Sequence, residues 1–392
     1  MKQTNKERIG LVLPNIPAYS ETFFNSKIKG LQENGFEVVL FSKSKSKSNY
    51  PSCKTVISPN FAKRPYLIVE FLFIFWQCLL HFKKAFKLFK LNRKESSSIA
   101  NSIKNVFINS YFFPHKLTWL HFGFGTMALQ SELVAETIGA KMAVSFRGFD
   151  LYIYPEKNPK CYALLFSRKV YYHVLSDEMK ATLIQNGISS DTIFKITPAI
   201  DIRFFKPIEN KNNQLTKQFL TIGRLHWKKG IEYTLEAFSL FKQQGIPFHY
   251  TIIGEGIEKE KLMFAVHQLE LQDYVTFTGK ISPLEVKSHF ENNDFYVQYS
   301  IQEGFCNAVL EAQAMGLLCL VSDADGLAEN VLHEKTGWVI PKRNPLLLAQ
   351  KMADVMHLDE KITHEMKTNA MERVQREFNL EKQNQAFKLF YS

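Results

Sequence analysis

The sequence predicts an α/β protein of two parallel-sheet domains, and three observations carry that prediction. Its 392 residues are more than a single hydrophobic core usually organises. Short apolar, β-prone runs alternate with helix-forming stretches through both halves, an order that gives parallel strands joined by right-handed crossovers. A polar, Asn-rich break at 201–214 separates the halves as a linker. With 45% hydrophobic and 22% charged residues, the composition is that of an ordinary globular chain.

In the first half, strands are expected near 8–13, 36–41, 117–121, 141–146 and 170–175, with helices near 22–34, 126–138 and 177–186. In the second half, strands are expected near 219–222, 248–253, 274–277, 294–299 and 317–321. A helix begins at Ile231 with Leu235 and Phe238 on one face, and another follows Phe305. The domains are drawn at 1–205 and 206–375, followed by a tail, 376–392.

Charge is uneven. Residues 1–200 hold 27 Lys and Arg against 13 Asp and Glu, while 201–392 hold 22 against 25. Within 43–94 there are 12 basic residues and one acid, Glu70. A pI near 9.2 invites nucleic acid as a partner. That partner is excluded here, because no recognition motif is present and the cations sit beside aromatic bulk. Two readings of 66–94 stay open. One is an ordinary buried helix over 66–80 with a solvated continuation; the other is a basic, aromatic helix in peripheral contact with an anionic membrane. The apolar run of 15 residues is short for a bilayer span. The membrane reading requires Lys83, Lys84, Lys87, Lys90, Arg93 and Lys94 to be exposed, with Phe82, Phe86 and Phe89 near the surface beside them. A charged start running directly into the strand at Ile9 is unlike a signal peptide. The five cysteines form no C-x-x-C pair, so they are read as reduced thiols of a cytoplasmic protein.

The chemistry concentrates in the second half. Glu303 and Glu311 lie eight residues apart around a turn, Glu303-Gly-Phe-Cys-Asn-Ala-Val-Leu-Glu311, that joins a buried strand to a helix. Open α/β sheets bind ligands at that edge, and a helix N-terminus offers free N–H groups to an anion. Glu311, inside Val-Leu-Glu-Ala, is poorly placed without a hydrogen-bonding partner. Eighty residues upstream, Gly223-Arg-Leu-His-Trp-Lys-Lys-Gly230 also joins a strand to a helix. Arg224 can grip a phosphate through two parallel hydrogen bonds, and Lys229 adds a point charge.

With Ile253-Gly-Glu-Gly256 and Val275-Thr-Phe-Thr-Gly279, these motifs resemble the retaining glycosyltransferases that build bacterial surface polysaccharides, the group 1 type that includes colanic acid and amylovoran enzymes. The resemblance implies a GT-B fold: two Rossmann-like domains facing across a cleft, with the tail helix crossing back to the first. It implies that Arg224 and Lys229 hold the donor diphosphate, that Glu303 contacts the transferred sugar and that Glu311 binds the ribose. Gly304, Phe305, Cys306 and Asn307 belong to the same donor loop. Gly254, Gly256, Gly279 and Ile281 lie in loops that flank the base. A nucleoside-diphosphate sugar, UDP- or GDP-linked, is the donor, and a saccharide or lipid-linked molecule the acceptor. No cofactor and no metal are expected, because Arg224, Lys229 and helix N-termini neutralise the leaving group.

On the acceptor side, Pro17-Ala-Tyr-Ser-Glu-Thr-Phe23 resembles a stretch of exopolysaccharide-building members and marks Ser20 and Glu21. Trp119-Leu-His-Phe-Gly123 resembles a strand end that brings in His121 and Gly123. Ser145-Phe-Arg-Gly-Phe-Asp150 departs from the His-Gly-x-Asp of relatives: Arg147 stands where they carry histidine, before Asp150. A permanently protonated arginine is no general base but can hold a phosphate or the charge developing on a leaving group. Two other functions fit the same sequence: a sugar-nucleotide epimerase of similar shape, and an inactive membrane-docking partner of a glycosyltransferase.

Overall fold

The computed structural model describes residues 7–17, 22–43, 53–59, 67–207 and 216–392. The chain forms two compact units. One comprises Met1–Val174, Lys180–Ile196 and Asn384–Ser392; the other comprises Leu175–Met179 and Thr197–Gln383.

The first unit is built on β1 (Arg8–Leu13), β2 (Glu37–Ser42), β3 (Lys54–Ile57), β4 (Trp119–Phe122), β5 (Lys141–Ser145), β6 (Val170–Val174) and β7 (Ile193–Lys195). These form one sheet in the order β3-β2-β1-β4-β5-β6-β7. Every pairing is parallel. Its helices are α1 (Thr22–Glu33), α2 (Leu67–Leu80), α3 (Phe82–Lys94), α4 (Ile99–Asn109), α5 (Gly125–Ala128), α6 (Val134–Ile138), α7 (Tyr154–Lys157), α8 (Ala163–Phe166) and most of α9 (Asp177–Gln185). β1 and β2 are buried along nearly their whole length, as expected of strands covered on both faces.

The second unit is built on β8 (Lys217–Ile222), β9 (Phe248–Ile253), β10 (Val275–Gly279), β11 (Phe295–Gln298), β12 (Leu318–Ser322) and β13 (Trp338–Ile340). The order is β10-β9-β8-β11-β12-β13, again wholly parallel. Its helices are α10 (Ile231–Lys242), α11 (Lys259–Gln268), α12 (Pro283–Asn292), α13 (Asn307–Ala314), α14 (Pro345–Met356) and α15 (Glu360–Glu377). Two apolar clusters, one around Phe219, Phe238 and Phe248 and one around Leu220, Val309 and Cys319, pack the sheet.

In both sheets the strand order reverses direction beside the first strand, between β1 and β4 and between β8 and β11. Ligands of doubly wound sheets bind at such switch points, beyond the carboxyl ends of the strands. α16 (Leu380–Tyr391) ends the chain, and its residues from Asn384 count with the first unit. There the Trp119 indole donates to the Tyr391 carbonyl at 2.9 Å. Phe387, Phe390 and Tyr391 are buried in the cluster around Ile9, Leu11 and Trp119.

Three local differences from the sequence expectation have physical causes. The helix expected at 126–138 is two short pieces, because Gln130 takes a left-handed φ of 66° and Ser131 turns aside to hydrogen-bond Asn109. The strands β3, β7 and β13 were not expected: they are sheet edges of three or four residues, too short for a clear apolar pattern. The described part of the segment 66–94 is not an ordinary buried helix. It breaks at His81 into α2 and α3, and α2 leaves Phe71, Leu72, Phe75 and Trp76 exposed. Of the six cations named above, Lys84 is half-buried, donating to the Phe113 carbonyl, and the other five are exposed. Phe82 and Phe86 are exposed and Phe89 is half-buried. Among the described residues no helix is long and apolar enough to cross a membrane.

Candidate active site

At the β8/β11 switch point, glycines let the strand-end loops meet backbone to backbone. Gly230 ends the one-turn helix Trp227–Lys229 at φ 62°, and a Cβ there would lie 2.1 Å from the Tyr299 carbonyl oxygen. Only glycine accepts both conditions. At Gly254, with φ 140°, a Cβ would fall 1.9 Å from the Gly223 oxygen; at Gly326 it would fall 2.0 Å from the Gly304 oxygen. The Lys228 carbonyl accepts from Ile301 N at 2.7 Å and from Gln302 N at 3.2 Å, tying the loop after β8 to the loop after β11. Glycine spacing in the sequence thus becomes a rigid floor of backbone under the charged side chains.

Lys229 lies over Gly223 and pairs with Glu303. Burial opposes the charge on the ammonium, yet the adjacent Glu303 carboxylate wins and holds its pKa above the usual lysine range. Glu303 N donates to Asp325 Oδ2 at 3.2 Å, which orients the turn. Arg224 is exposed and makes no hydrogen bond or ion pair with a described residue, although its charge acts on Lys228 and Lys229. Glu311 sits in α13, half-buried, also without such a partner, and burial pushes its carboxyl up to about 7. Tyr296 links the two loops: its hydroxyl donates to the Ile222 carbonyl at 3.2 Å, and the charge of Glu311 acts on it. An unpartnered cation and an unpartnered carboxylate, beside an ion pair, are what a polar ligand carrying phosphate and hydroxyl groups would satisfy.

The rest of the donor loop is held from behind. Asn330 clamps Cys306, accepting from its N–H at 3.1 Å and donating to its carbonyl at 2.9 Å; Arg373 donates to the Asn330 carbonyl at 2.8 Å. Phe305 is buried with its ring against Phe378, so this position faces the site with backbone rather than side chain. Cys306 is the N-cap of α13, with Gly304 before it and Asn307 opening the helix. Gly256 packs on Leu225, Gly279 (φ 72°) on Glu255, and Ile281 is half-buried in an apolar cluster.

The sequence also contains an Asp-x-Asp pair, Asp323-Ala-Asp325 after β12, which the expectation of a metal-free site overlooked. Asp323 accepts from Lys342 N at 2.8 Å, and Asp325 pairs with the Lys342 ammonium at 3.7 Å as well as accepting from Glu303. Among the described residues no group of three His, Cys, Asp or Glu is arranged to hold a metal ion. Asp325, Asn330 and Arg373 escaped notice because their roles depend on contacts across tens of residues. Only the Asp-Gly at 325–326, following a strand, signals a functional turn.

In the first unit, Ser20 and Glu21 lie outside the described residues. His121 is fully buried rather than at a surface: Nδ1 meets the Tyr391 hydroxyl and Nε2 meets Ser145 Oγ at 2.8 Å, which continues to His173 Nδ1 at 2.7 Å. Burial, then the nearby Lys27, pushes its pKa well down, so the imidazole is neutral. Gly123 is buried against Leu13. Asp150 is buried and accepts from Thr126 N at 3.1 Å and Thr126 Oγ1 at 2.8 Å. Arg147 is half-buried beside it, with its guanidinium 4.5 Å from the Phe23 ring, 5.1 Å from Phe24 and 5.4 Å from Phe124. Among the described residues its Nε and Nη2 have no hydrogen-bond partner. Burial lowers its pKa to about 10, which leaves it cationic at neutral pH.

Two parallel sheets with the same reversal of strand order, and a charged site at the switch point of the second, define the class. Residues 202–373 match the family described as Glycosyl transferases group 1. Over 392 residues the chain is 25% identical to the putative colanic acid biosynthesis glycosyltransferase WcaL of Escherichia coli K12, covering 95% of this chain and 96% of that one. It is 26% identical over 275 residues to the amylovoran biosynthesis glycosyltransferase AmsK of Erwinia amylovora, covering 68% and 67%. In fold it is similar to HepE of Anabaena, solved with UDP and glucose, at a TM-score of 0.72 and 13% identity over 98% of each chain. The protein carries a glycosyltransferase group 1 domain on a GT-B fold and is a glycosyltransferase.

Proposed function

We propose that the protein is a retaining hexosyltransferase of cell-surface polysaccharide synthesis, taking a UDP- or GDP-linked sugar and passing the hexose to a saccharide or lipid-linked acceptor. The observation that carries this reading is the Lys229–Glu303 pair flanked by Arg224 and Glu311, neither of which has a partner among the described residues, at one switch point. The names of WcaL and AmsK support the polysaccharide setting. In the reaction the bond from the sugar C1 to the diphosphate oxygen breaks. The acceptor hydroxyl oxygen forms the new bond to C1, and its proton leaves with the diphosphate. Arg224 and Lys229 meet the charge that builds on the leaving group, Glu303 orients the sugar and Glu311 takes the ribose hydroxyls. Arg147, in the first unit, we assign to the acceptor. The enzyme then works as a peripheral protein on the cytoplasmic face of the membrane, where lipid-linked acceptors are found.

The deciding experiment is a hydrolysis and thermal-shift screen over UDP-, GDP- and ADP-sugars, with the anomeric configuration of the product read by NMR. One donor class should stabilise the protein and turn over with retained configuration; inversion, or epimerised donor without transfer, would remove the reading. Because protein cations neutralise the diphosphate, activity should persist in EDTA. Loss in EDTA restored by Mg2+ or Mn2+ would instead bring Asp323 and Asp325 into the mechanism.

A further inference from the structure

α2 reads Leu-Ile-Val-Glu-Phe-Leu-Phe-Ile-Phe-Trp-Gln-Cys-Leu-Leu, with Glu70 its one charge, yet from Glu70 onward the fold buries little of it. Beyond Glu70 only Ile74 is fully buried, whereas Phe71, Leu72, Phe75, Trp76 and Leu79 are 48–60% exposed. Those positions recur with helical spacing and form one continuous apolar face. α3 extends it with Phe82 and Phe86, whose stacked rings lie 5.8 Å apart. Between α2, α3 and α4 opens a groove of about 280 Å³ lined by apolar side chains, among them Phe75, Leu79, Phe82, Ile103 and Phe107. Beside this face stand the exposed Lys83, Lys87, Lys90, Arg93 and Lys94, and no acid occurs between Glu70 and Glu95. The Lys90 ammonium lies 4.6 Å from the Phe86 ring, at the border of the apolar and cationic zones.

We propose that α2 is a monotopic membrane anchor, inserting its apolar face at the acyl–headgroup boundary of an anionic bilayer while the α3 cations rest on the headgroups. A continuous apolar face of this kind marks an interaction surface. The cationic rim selects its occupant, because anionic lipid supplies hydrocarbon and negative charge side by side. At 14 residues α2 is too short to span, so it lies in the plane of the interface, where Trp76 is favourably placed. The inference deepens the peripheral-membrane reading given above, and it changes the expected salt dependence. Adsorption by charge alone is lost when salt screens it, whereas an inserted helix keeps part of its affinity.

The test is flotation of the full chain with vesicles of neutral phosphatidylcholine and of phosphatidylcholine mixed with anionic phosphatidylglycerol, at low and high salt, using lipids brominated on the acyl chains to quench inserted tryptophan. Wild type should prefer anionic vesicles, retain a bound fraction at high salt and show quenching that Trp76→Phe abolishes. Leu72→Glu/Leu79→Glu should lower partitioning at least about tenfold at every salt concentration, since withdrawing one leucine-sized side chain from water is worth about that factor. Lys83→Glu/Lys90→Glu/Lys94→Glu should abolish only the preference for anionic lipid. Unchanged binding by the leucine variant, or no quenching through Trp76, would overturn the anchor. So would a wild-type dimer that the leucine variant converts to monomer, because the face would then join two copies of the chain. Donor hydrolysis is measured in solution on the same samples, so that the anchor and the glycosyltransferase reading fail separately.

Discussion

Glu311 is the residue whose environment most constrains what it does. Burial raises its carboxyl to about 7, against an ordinary 4.5 in the unfolded chain. The folded state therefore holds the proton more tightly, and stability declines as pH rises from 4.5 through 7. Replacing it by an uncharged isostere removes that cost. Glu311→Gln should stabilise the ligand-free protein at pH 8 by about 1–3 kcal/mol, discounted for partial exposure, with no gain below pH 4.5. Denaturant titrations at the two pH values check this. The same variant should weaken donor binding and flatten its pH dependence near 7, because the ribose loses an anionic acceptor. For Arg224→Ala and Lys229→Ala, turnover should fall about 100-fold or more while the fold persists, since charge-assisted contacts to a leaving group are among the strongest available. A loss below tenfold in steady-state assays of both variants would separate these cations from the chemistry.

At the scale of elements, loops rather than strands make the site, and glycines set how closely the loops approach. Gly230→Ala and Gly254→Ala each combine a positive φ with a Cβ closer than 2.2 Å to a backbone oxygen, at Tyr299 and Gly223 respectively. Neither neighbour is a flexible side chain that can move aside, so each substitution must displace a whole loop. A destabilisation of about 2 kcal/mol or more is expected, with donor affinity falling further than stability alone explains. Gly35→Ala is the control, because nothing lies within 4 Å of its Cβ position although its φ is 88°. It should cost only the backbone strain and leave donor binding unchanged by thermal shift.

At the scale of the molecule, the last turn of the chain is part of the first unit's core. Phe387 is 1% exposed and Tyr391 fully buried, and the Tyr391 hydroxyl ends a hydrogen-bonded chain through His121, Ser145 and His173 to the Ile196 carbonyl. Phe387→Ala should cost about 3–5 kcal/mol, the range for deleting a buried aromatic side chain. Tyr391→Phe should cost about 1 kcal/mol, the price of one hydrogen bond whose partner finds no substitute. Urea melts of the full chain would measure both. A loss below 1 kcal/mol for Phe387→Ala would mean that the terminal helix is not a fixed part of this core.

Local sequence determined the two parallel sheets, the principal strands and the loop pair around Arg224, Lys229, Glu303 and Glu311, because these depend on short-range signals: buried runs of β-prone residues, glycines at turns and helix-forming stretches after them. Tertiary structure alone decided the rest. It paired Lys229 with Glu303, left Glu311 without a partner among the described residues and tied Asp325 and Asn330 to the donor loop, since each contact joins residues that only the order of strands brings together. It placed His121 inside the core, where the sequence allowed a surface role. It also exposed α2: an apolar helix reads the same whether a protein core or a lipid surface receives it, and only the packing of its neighbours shows which face is left uncovered.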